Sequence, residues 1–144
     1  MTPTNPLPLA GRVALITGAN TGIGAVTARE LARRGARVFI ACRTPARAQP
    51  VLEAIRAEGG LCELLTLDLG DLDSVRRCAD AFIATGAPLH LLVNNAGLAG
   101  GHGFTASGFE LAFGTNHVGH FLLTQRLRPV LERSAPARVV TVAS

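Results

Sequence analysis

Thr17-Gly18-Ala19-Asn20-Thr21-Gly22-Ile23-Gly24 lies between an apolar run, Val13-Ala14-Leu15-Ile16, and the stretch Ala25-Val26-Thr27-Ala28-Arg29-Glu30-Leu31-Ala32-Arg33-Arg34. The order is strand, glycine-rich turn, helix. Glycine accepts a positive φ and lets a ligand come close to the backbone. The first turn of the following helix aims unpaired N–H groups, and the positive end of its dipole, at an anion. The glycines are spaced Gly-x-x-x-Gly-x-Gly rather than Gly-x-Gly-x-x-Gly. The stretch therefore predicts a phosphate cradle built from Gly18, Asn20, Thr21, Gly22, Ile23 and Gly24.

Outward from this turn the same alternation continues. Arg37-Val38-Phe39-Ile40-Ala41 reads as a second buried strand, with Gly35 before it as a helix C-cap. Thr44 is placed to cap the next helix, with Pro45 at its first position and an end near Glu58. Cys62 to Leu67 is a third strand, closed by Asp68-Leu69-Gly70, and a helix runs from Asp71 to about Ala84. Leu89 to Val93 is a fourth strand, ended by Asn94-Asn95-Ala96-Gly97. A glycine-rich loop precedes a long helix from about Ser107 to Arg133. Ala137 to Val142 forms a fifth strand. Strands alternating with helices imply one α/β domain over residues 1–144, a doubly wound parallel sheet of Rossmann type. Right-handed crossovers favour the strand order 3-2-1-4-5. Thr17, Cys42-Arg43, Asp68, Asn94 and Ser144 all fall at carboxyl ends of strands, where such sheets bind ligands.

The composition, 48% apolar and 17% charged over 144 residues, is that of a globular chain. No apolar run approaches the ~18 residues of a membrane span, and the N-terminus lacks the pattern of a signal peptide. A cytoplasmic protein is the expectation. The net charge of +4 is carried by arginines scattered through helices, without the concentrated stripe of a nucleic-acid footprint. Cys42, Cys62 and Cys78 have neither metal nor redox spacing and read as buried small hydrophobes. The chain contains no tyrosine and no lysine.

After the second strand, an NAD site places Asp or Glu about 20 residues beyond the glycines, to bond the ribose hydroxyls. Here that neighbourhood holds Cys42 and Arg43. No carboxylate repels a 2′-phosphate, and Arg43 offers it a forked, charge-assisted contact, so NADP is favoured over NAD. Asp68 is placed to accept from an adenine amine or to shape its own turn. Along the long helix, Phe109, Phe113, Asn116, His120, Leu123, Leu127 and Val130 share one face. Asn116 interrupts that stripe, and a buried amide needs a definite partner. His117 and His120 have no third ligand to complete a metal site, and His120 reads as a satisfied helix-face histidine.

These pieces, with Val139-Val140-Thr141-Val142-Ala143-Ser144, resemble the N-terminal part of a short-chain dehydrogenase/reductase. Gly108 to Thr124 and Ala41-Cys42-Arg43 are similar to the retinol-dehydrogenase-like branch. The resemblance implies cofactor contacts from Gly18, Asn20, Thr21, Gly22, Ile23, Gly24, Arg43, Asp68, Leu69, Asn94, Ala96 and Gly97. It also implies hydride transfer between NADP and a carbonyl or alcohol, on a fairly apolar substrate, by a parent protein that is a homo-oligomer. Asn116 matches the asparagine of an Asn-Ser-Tyr-Lys site, where it helps hold a water in the proton relay. Ser144 matches the serine that bonds the substrate carbonyl oxygen. The family's Tyr-x-x-x-Lys general acid follows that serine by about a dozen residues and is absent here. The expectation is a truncated Rossmann domain that is inactive by itself, with its fifth strand an unprotected edge. The alternative is a non-catalytic nucleotide- or partner-binding module.

Overall fold

In the computed structural model, which describes residues 6–143, five strands form one parallel sheet in the order β3-β2-β1-β4-β5. They are β1 (Val13–Thr17), β2 (Arg37–Cys42), β3 (Leu61–Thr66), β4 (Leu91–Asn94) and β5 (Arg138–Thr141). Helices α1 (Gly22–Arg33), α2 (Pro45–Ala57) and α3 (Leu72–Ala84) link the first four. Between β4 and β5 the chain winds through α4 (Leu111–Phe113), a π turn (Gly114–Val118) and α5 (Gly119–Arg133). The strand order is the one the alternation predicts.

The period-two alternation of side chains along each strand builds two separate cores. Val13 and Leu15 of β1, with Phe39 and Ala41 of β2, pack against Val75 and Phe82 of α3 and Leu123 and Leu127 of α5. Ala14 and Ile16, with Val38 and Ile40, face the opposite way, onto Ala28 and Ala32 of α1 and Leu52 and Ile55 of α2. All five residues of β1 are buried, because the central strand is covered on both faces. The aromatic centre of the first core is Phe39 against Phe82, edge to face with centroids 4.9 Å apart. The outer strands β3 and β5 are less covered than a strand apolar on both faces suggests, because each has a neighbour on one side only. On β5, Val139 and Val140 are each 45% exposed, and among the described residues no strand pairs with its outer edge.

The long helix departs from its sequence reading. It starts at Leu111 rather than Ser107, because Phe104 and Glu110 form an antiparallel bridge and Gly108 turns the chain at φ +89°. The Glu110 carboxylate then caps the helix, accepting from the N–H groups of Ala112 (3.1 Å) and Phe113 (2.7 Å). In the π turn the Gly119 N–H reaches back to Gly114 O, one residue further than in an α-helix. That extra residue breaks the 3.6-residue period. His120, Leu123, Leu127 and Val130 stay buried, while Phe109 and Phe113 slip to the surface. Thr44 stands at the start of α2 without the expected side-chain cap. Gly35 does end α1, at φ +104°. β4 begins at Leu91 rather than Leu89, and at its start the His90 ring Nδ1 accepts the Val13 N–H (3.0 Å) in place of a backbone carbonyl.

Candidate functional site

An open cleft of about 540 Å³ lies along the carboxyl ends of the strands. The β1–α1 turn supplies Gly18, Asn20, Thr21 and Ile23, and the end of β2 supplies Ala41, Cys42 and Arg43. Leu67, Asp68 and Leu69 follow β3, Asn95 to Leu98 follow β4, and Val142 follows β5. Gly18 has φ +65°, and a Cβ there would meet the Cα and Cβ of Ala96 at 2.8 Å, so only glycine lets the first turn touch the end of β4. Gly24 is buried in the same contact. A Cβ on it would lie 2.5 Å from Asn95 Nδ2 and 2.6 Å from Gly18 O. Gly22, at φ +58°, has open space beside it. Thr21 makes no side-chain cap to α1, so the amides opening this 12-residue helix are left for a ligand. Close backbone packing, free amides and an open cleft suit a nucleotide's pyrophosphate.

Thr17, the last residue of β1, fixes the cleft from below. Its buried Oγ1 accepts the N–H groups of Asn95 (2.9 Å) and Ala96 (2.9 Å). Asn95 Nδ2 returns a bond to Thr17 O (3.0 Å). The ends of β1 and β4 are thereby sewn together at the point where the sheet's connections reverse direction. Asn95, part of the Asn94-Asn95-Ala96-Gly97 motif but not among the expected cofactor contacts, lines the cleft, whereas the Asn94 side chain turns away from it. Asn94 Nδ2 donates to Thr124 Oγ1 on α5 (3.0 Å), and Asn94 Oδ1 is buried without a hydrogen-bond partner. The strand alternation decides this: Asn94 ends β4 on the α5 face and Asn95 leaves the strand on the opposite side, so one asparagine faces the cleft and the other does not.

Arg43 is exposed at the cleft rim and enters no ion pair among the described residues. Asp68 shapes its own turn, accepting the Gly70 N–H on Oδ1 (3.0 Å), while its N–H is held by Ser74 Oγ (2.9 Å). The other carboxylate oxygen remains for a ligand. Leu69 is buried beneath it, its carbonyl pressed against Gly119 where a Cβ would collide. Asn116 is exposed rather than buried, yet both ends of its amide are used: Nδ2 donates to Leu98 O and Oδ1 accepts the Leu98 N–H, each at 2.9 Å. Gly97 lies alongside, where a Cβ would sit 3.4 Å from Asn116 Oδ1. The structure therefore gathers Gly18, Asn20, Thr21, Ile23, Arg43, Asp68, Leu69, Ala96 and Gly97 on one cleft, with Asn116 gripping its wall through Leu98. Ser144 lies outside the described residues.

The two histidines do different things. His120 is buried and uses both ring nitrogens, Nε2 to Thr17 Oγ1 (2.8 Å) and Nδ1 to Asn116 O (2.9 Å). Burial lowers its pKa, against the opposing effect of the Asn116 carbonyl. His117 is exposed and stacks on Phe113, centroids 5.2 Å apart. Among the described residues no cluster of three or more His, Cys, Asp or Glu side chains has the arrangement of a metal site. All three cysteines are free and buried. Burial pushes the Cys62 thiol up to about 11 and the Cys78 thiol to about 12, so neither is a nucleophile near neutral pH.

The pattern of the short chain dehydrogenase family matches residues 12–144, and the chain belongs to that family. It is 50% identical over 144 residues to mouse retinol dehydrogenase 12, covering 98% of this chain and 46% of that protein. Among solved structures, the Pseudomonas aeruginosa RhlG/NADP active-site complex superposes with a TM-score of 0.83 at 38% identity, over 98% of this chain and 58% of that one. A short chain dehydrogenase/reductase from Burkholderia phymatum in complex with NAD superposes with a TM-score of 0.81 at 28% identity, over 94% and 50%. The chain thus spans less than half the length of its retinol dehydrogenase relative.

Proposed function

We propose that this chain is the nucleotide-binding part of an NADP-dependent oxidoreductase that moves hydride between the nicotinamide and a carbonyl or alcohol carbon. The observation that carries the reading is the cleft where the glycine turn, Arg43 and Asp68 converge beside Asn116. In it the amides of the Gly18–Gly24 turn hold the pyrophosphate. Arg43, which enters no ion pair among the described residues, would hold a 2′-phosphate by charge-assisted bonds. Asp68 offers its open oxygen to the adenine amine. Asn95 and Thr17 keep the wall on the nicotinamide side rigid, so that little ordering entropy is lost on binding.

When bound, the nicotinamide supplies or accepts the hydride. Asn116 orients the loop at Leu98 and takes the position of the asparagine that steadies the family's relay water. In sequence, Ser144 matches the serine that bonds the substrate oxygen in the family, and it lies outside the described residues. Residues 1–144 hold neither tyrosine nor lysine, so by themselves they supply no phenol acid to complete proton transfer. They bind nucleotide without turnover. The name of the mouse relative supports an apolar alcohol or aldehyde as the substrate of the whole protein.

Titrating the purified chain with NADPH and NADH, following nicotinamide fluorescence, tests the proposal. Tighter binding of NADPH, abolished by Arg43→Ala, is the expected result. Equal affinity for the two nucleotides refutes the assignment of Arg43, and no binding of either refutes the cleft.

A further inference from the structure

We propose that His120 is a positioning residue, locked in one tautomer, that couples the phosphate turn to Asn116. The inference rests on the nucleotide reading above for its ligand, and on four hydrogen bonds for its geometry. A backbone carbonyl only accepts, so the contact of His120 Nδ1 with Asn116 O (2.9 Å) requires a proton on Nδ1. In the neutral ring Nε2 is then bare and accepts the hydroxyl proton of Thr17 (2.8 Å). With its single proton committed to His120, Thr17 Oγ1 has two lone pairs left. They take the N–H groups of Asn95 and Ala96, both at 2.9 Å. Each donor and acceptor in the chain of contacts is used once, in one direction only.

The competing acceptor for the Thr17 proton, Val93 O, lies 3.5 Å away. Turning the hydroxyl toward it would abandon the shorter bond. The ring thus decides which way Thr17 points, and Thr17 decides where Asn95 and Ala96 sit against Gly18. On its other side the ring holds the carbonyl of Asn116, whose amide grips Leu98 from both ends. Asn116 lies within the π turn and His120 one turn later, just past its end, and the two meet through the Asn116 carbonyl. The wall from Asn95 to Leu98 is therefore clamped at both ends, and His120 is the part common to both clamps.

The test uses the 144-residue chain. Ring nitrogens of ¹⁵N-histidine-labelled protein are recorded by NMR, without and with NADPH. A His120 ring protonated at Nδ1 and bare at Nε2, disturbed by Thr17→Val, is expected. The opposite tautomer, or no response to Thr17→Val, overturns the proposal. In parallel, His120→Phe fills the space without the bonds and weakens NADPH binding about tenfold. His120→Gln, which keeps an acceptor toward Thr17, recovers affinity to within about threefold of the parent. Unchanged affinity in His120→Phe overturns the coupling, as does failure of His120→Gln to recover any. If His120→Phe does not fold, the ring spectrum and the glutamine variant decide. If the parent chain binds no NADPH, the nucleotide reading fails, while the ring spectrum still decides the tautomer and the Thr17 contact.

Discussion

Replacing Gly24 with alanine would put a methyl group into a space already filled from three sides. Built on the present backbone, the new Cβ lies 2.5 Å from Asn95 Nδ2, 2.6 Å from Gly18 O and 2.9 Å from Ala19 Cα. Two of these neighbours are backbone and cannot swing aside. The third, the Asn95 amide, can move only by giving up its bond to Thr17 O (3.0 Å). Gly24 lies inside α1 with no positive φ, so helix propensity alone would make alanine more stable by about 1 kcal/mol. Overpacking costs about 1–3 kcal/mol and the lost hydrogen bond about 1 kcal/mol more. The net expectation is destabilisation by about 2 kcal/mol, or a fall in Tm of about 7 °C for a domain of this size. Because the strain falls on Gly18 and Asn95, NADPH affinity falls by about tenfold with it. Gly22→Ala is the control: it has open space and only the cost of a left-handed backbone, about 1–2 kcal/mol, without touching Asn95. Calorimetry and fluorescence titration of the three proteins decide the matter. A Gly24→Ala protein that melts at or above the parent temperature would show that propensity wins and that the packing argument is wrong.

The core offers a simpler test: Phe82→Ala removes a fully buried ring from the edge of Phe39 and should cost about 3–5 kcal/mol in denaturant unfolding. A loss under about 1 kcal/mol would mean the first core is not packed as described. Stability should also depend on pH through His120. Its folded pKa lies below the unfolded value of about 6.5, so the unfolded chain binds the extra proton. The contribution is present in full above about pH 6.5 and is lost as pH falls through the folded value. Chemical denaturation between pH 7 and 5 should show this slope, with His90 adding a part of the same sign, and His120→Gln should lower it. The buried thiols should resist alkylation at pH 8 until denaturant is added, when all three react. Rapid labelling of native Cys62 or Cys78 would contradict their burial.

The sheet was legible in the sequence because its signal is redundant. Five apolar runs separated by turns and helices leave one order of strands, and Arg43 and Asp68, at the ends of β2 and β3, land on the cleft, whereas the Asn94 side chain turns away. The helix before β5 was less legible. Phe109 and Asn116 fit an unbroken 3.6-residue period on paper, but a bridge at Glu110 and a π turn at Gly114 intervene. Gly114 is packed against Thr105 within the same loop and Gly119 against Leu69 from after β3, and the helical period reveals neither contact. Asn94 and Asn95 show the same limit at single-residue scale. The motif names both, and only the phase of β4 tells which one reaches the cleft. Thr17 was visible only as the polar end of a strand, and nothing local marks its hydroxyl as a junction. The pairing of Asn116 with His120, one helical turn apart, was the available hint.

Thr17 finds its Asn95 partner 78 residues later and its histidine 103 residues later. During synthesis β1, β2 and β3 can therefore assemble while the glycine turn still hangs loose, for the strand and helix that will hold it do not yet exist. On the proposed reading, nucleotide recognition would wait until Asn95 and His120 are in place around Thr17. A dinucleotide present in the cell would act on the finished fold, drawing the newly closed form away from its open precursors by mass action.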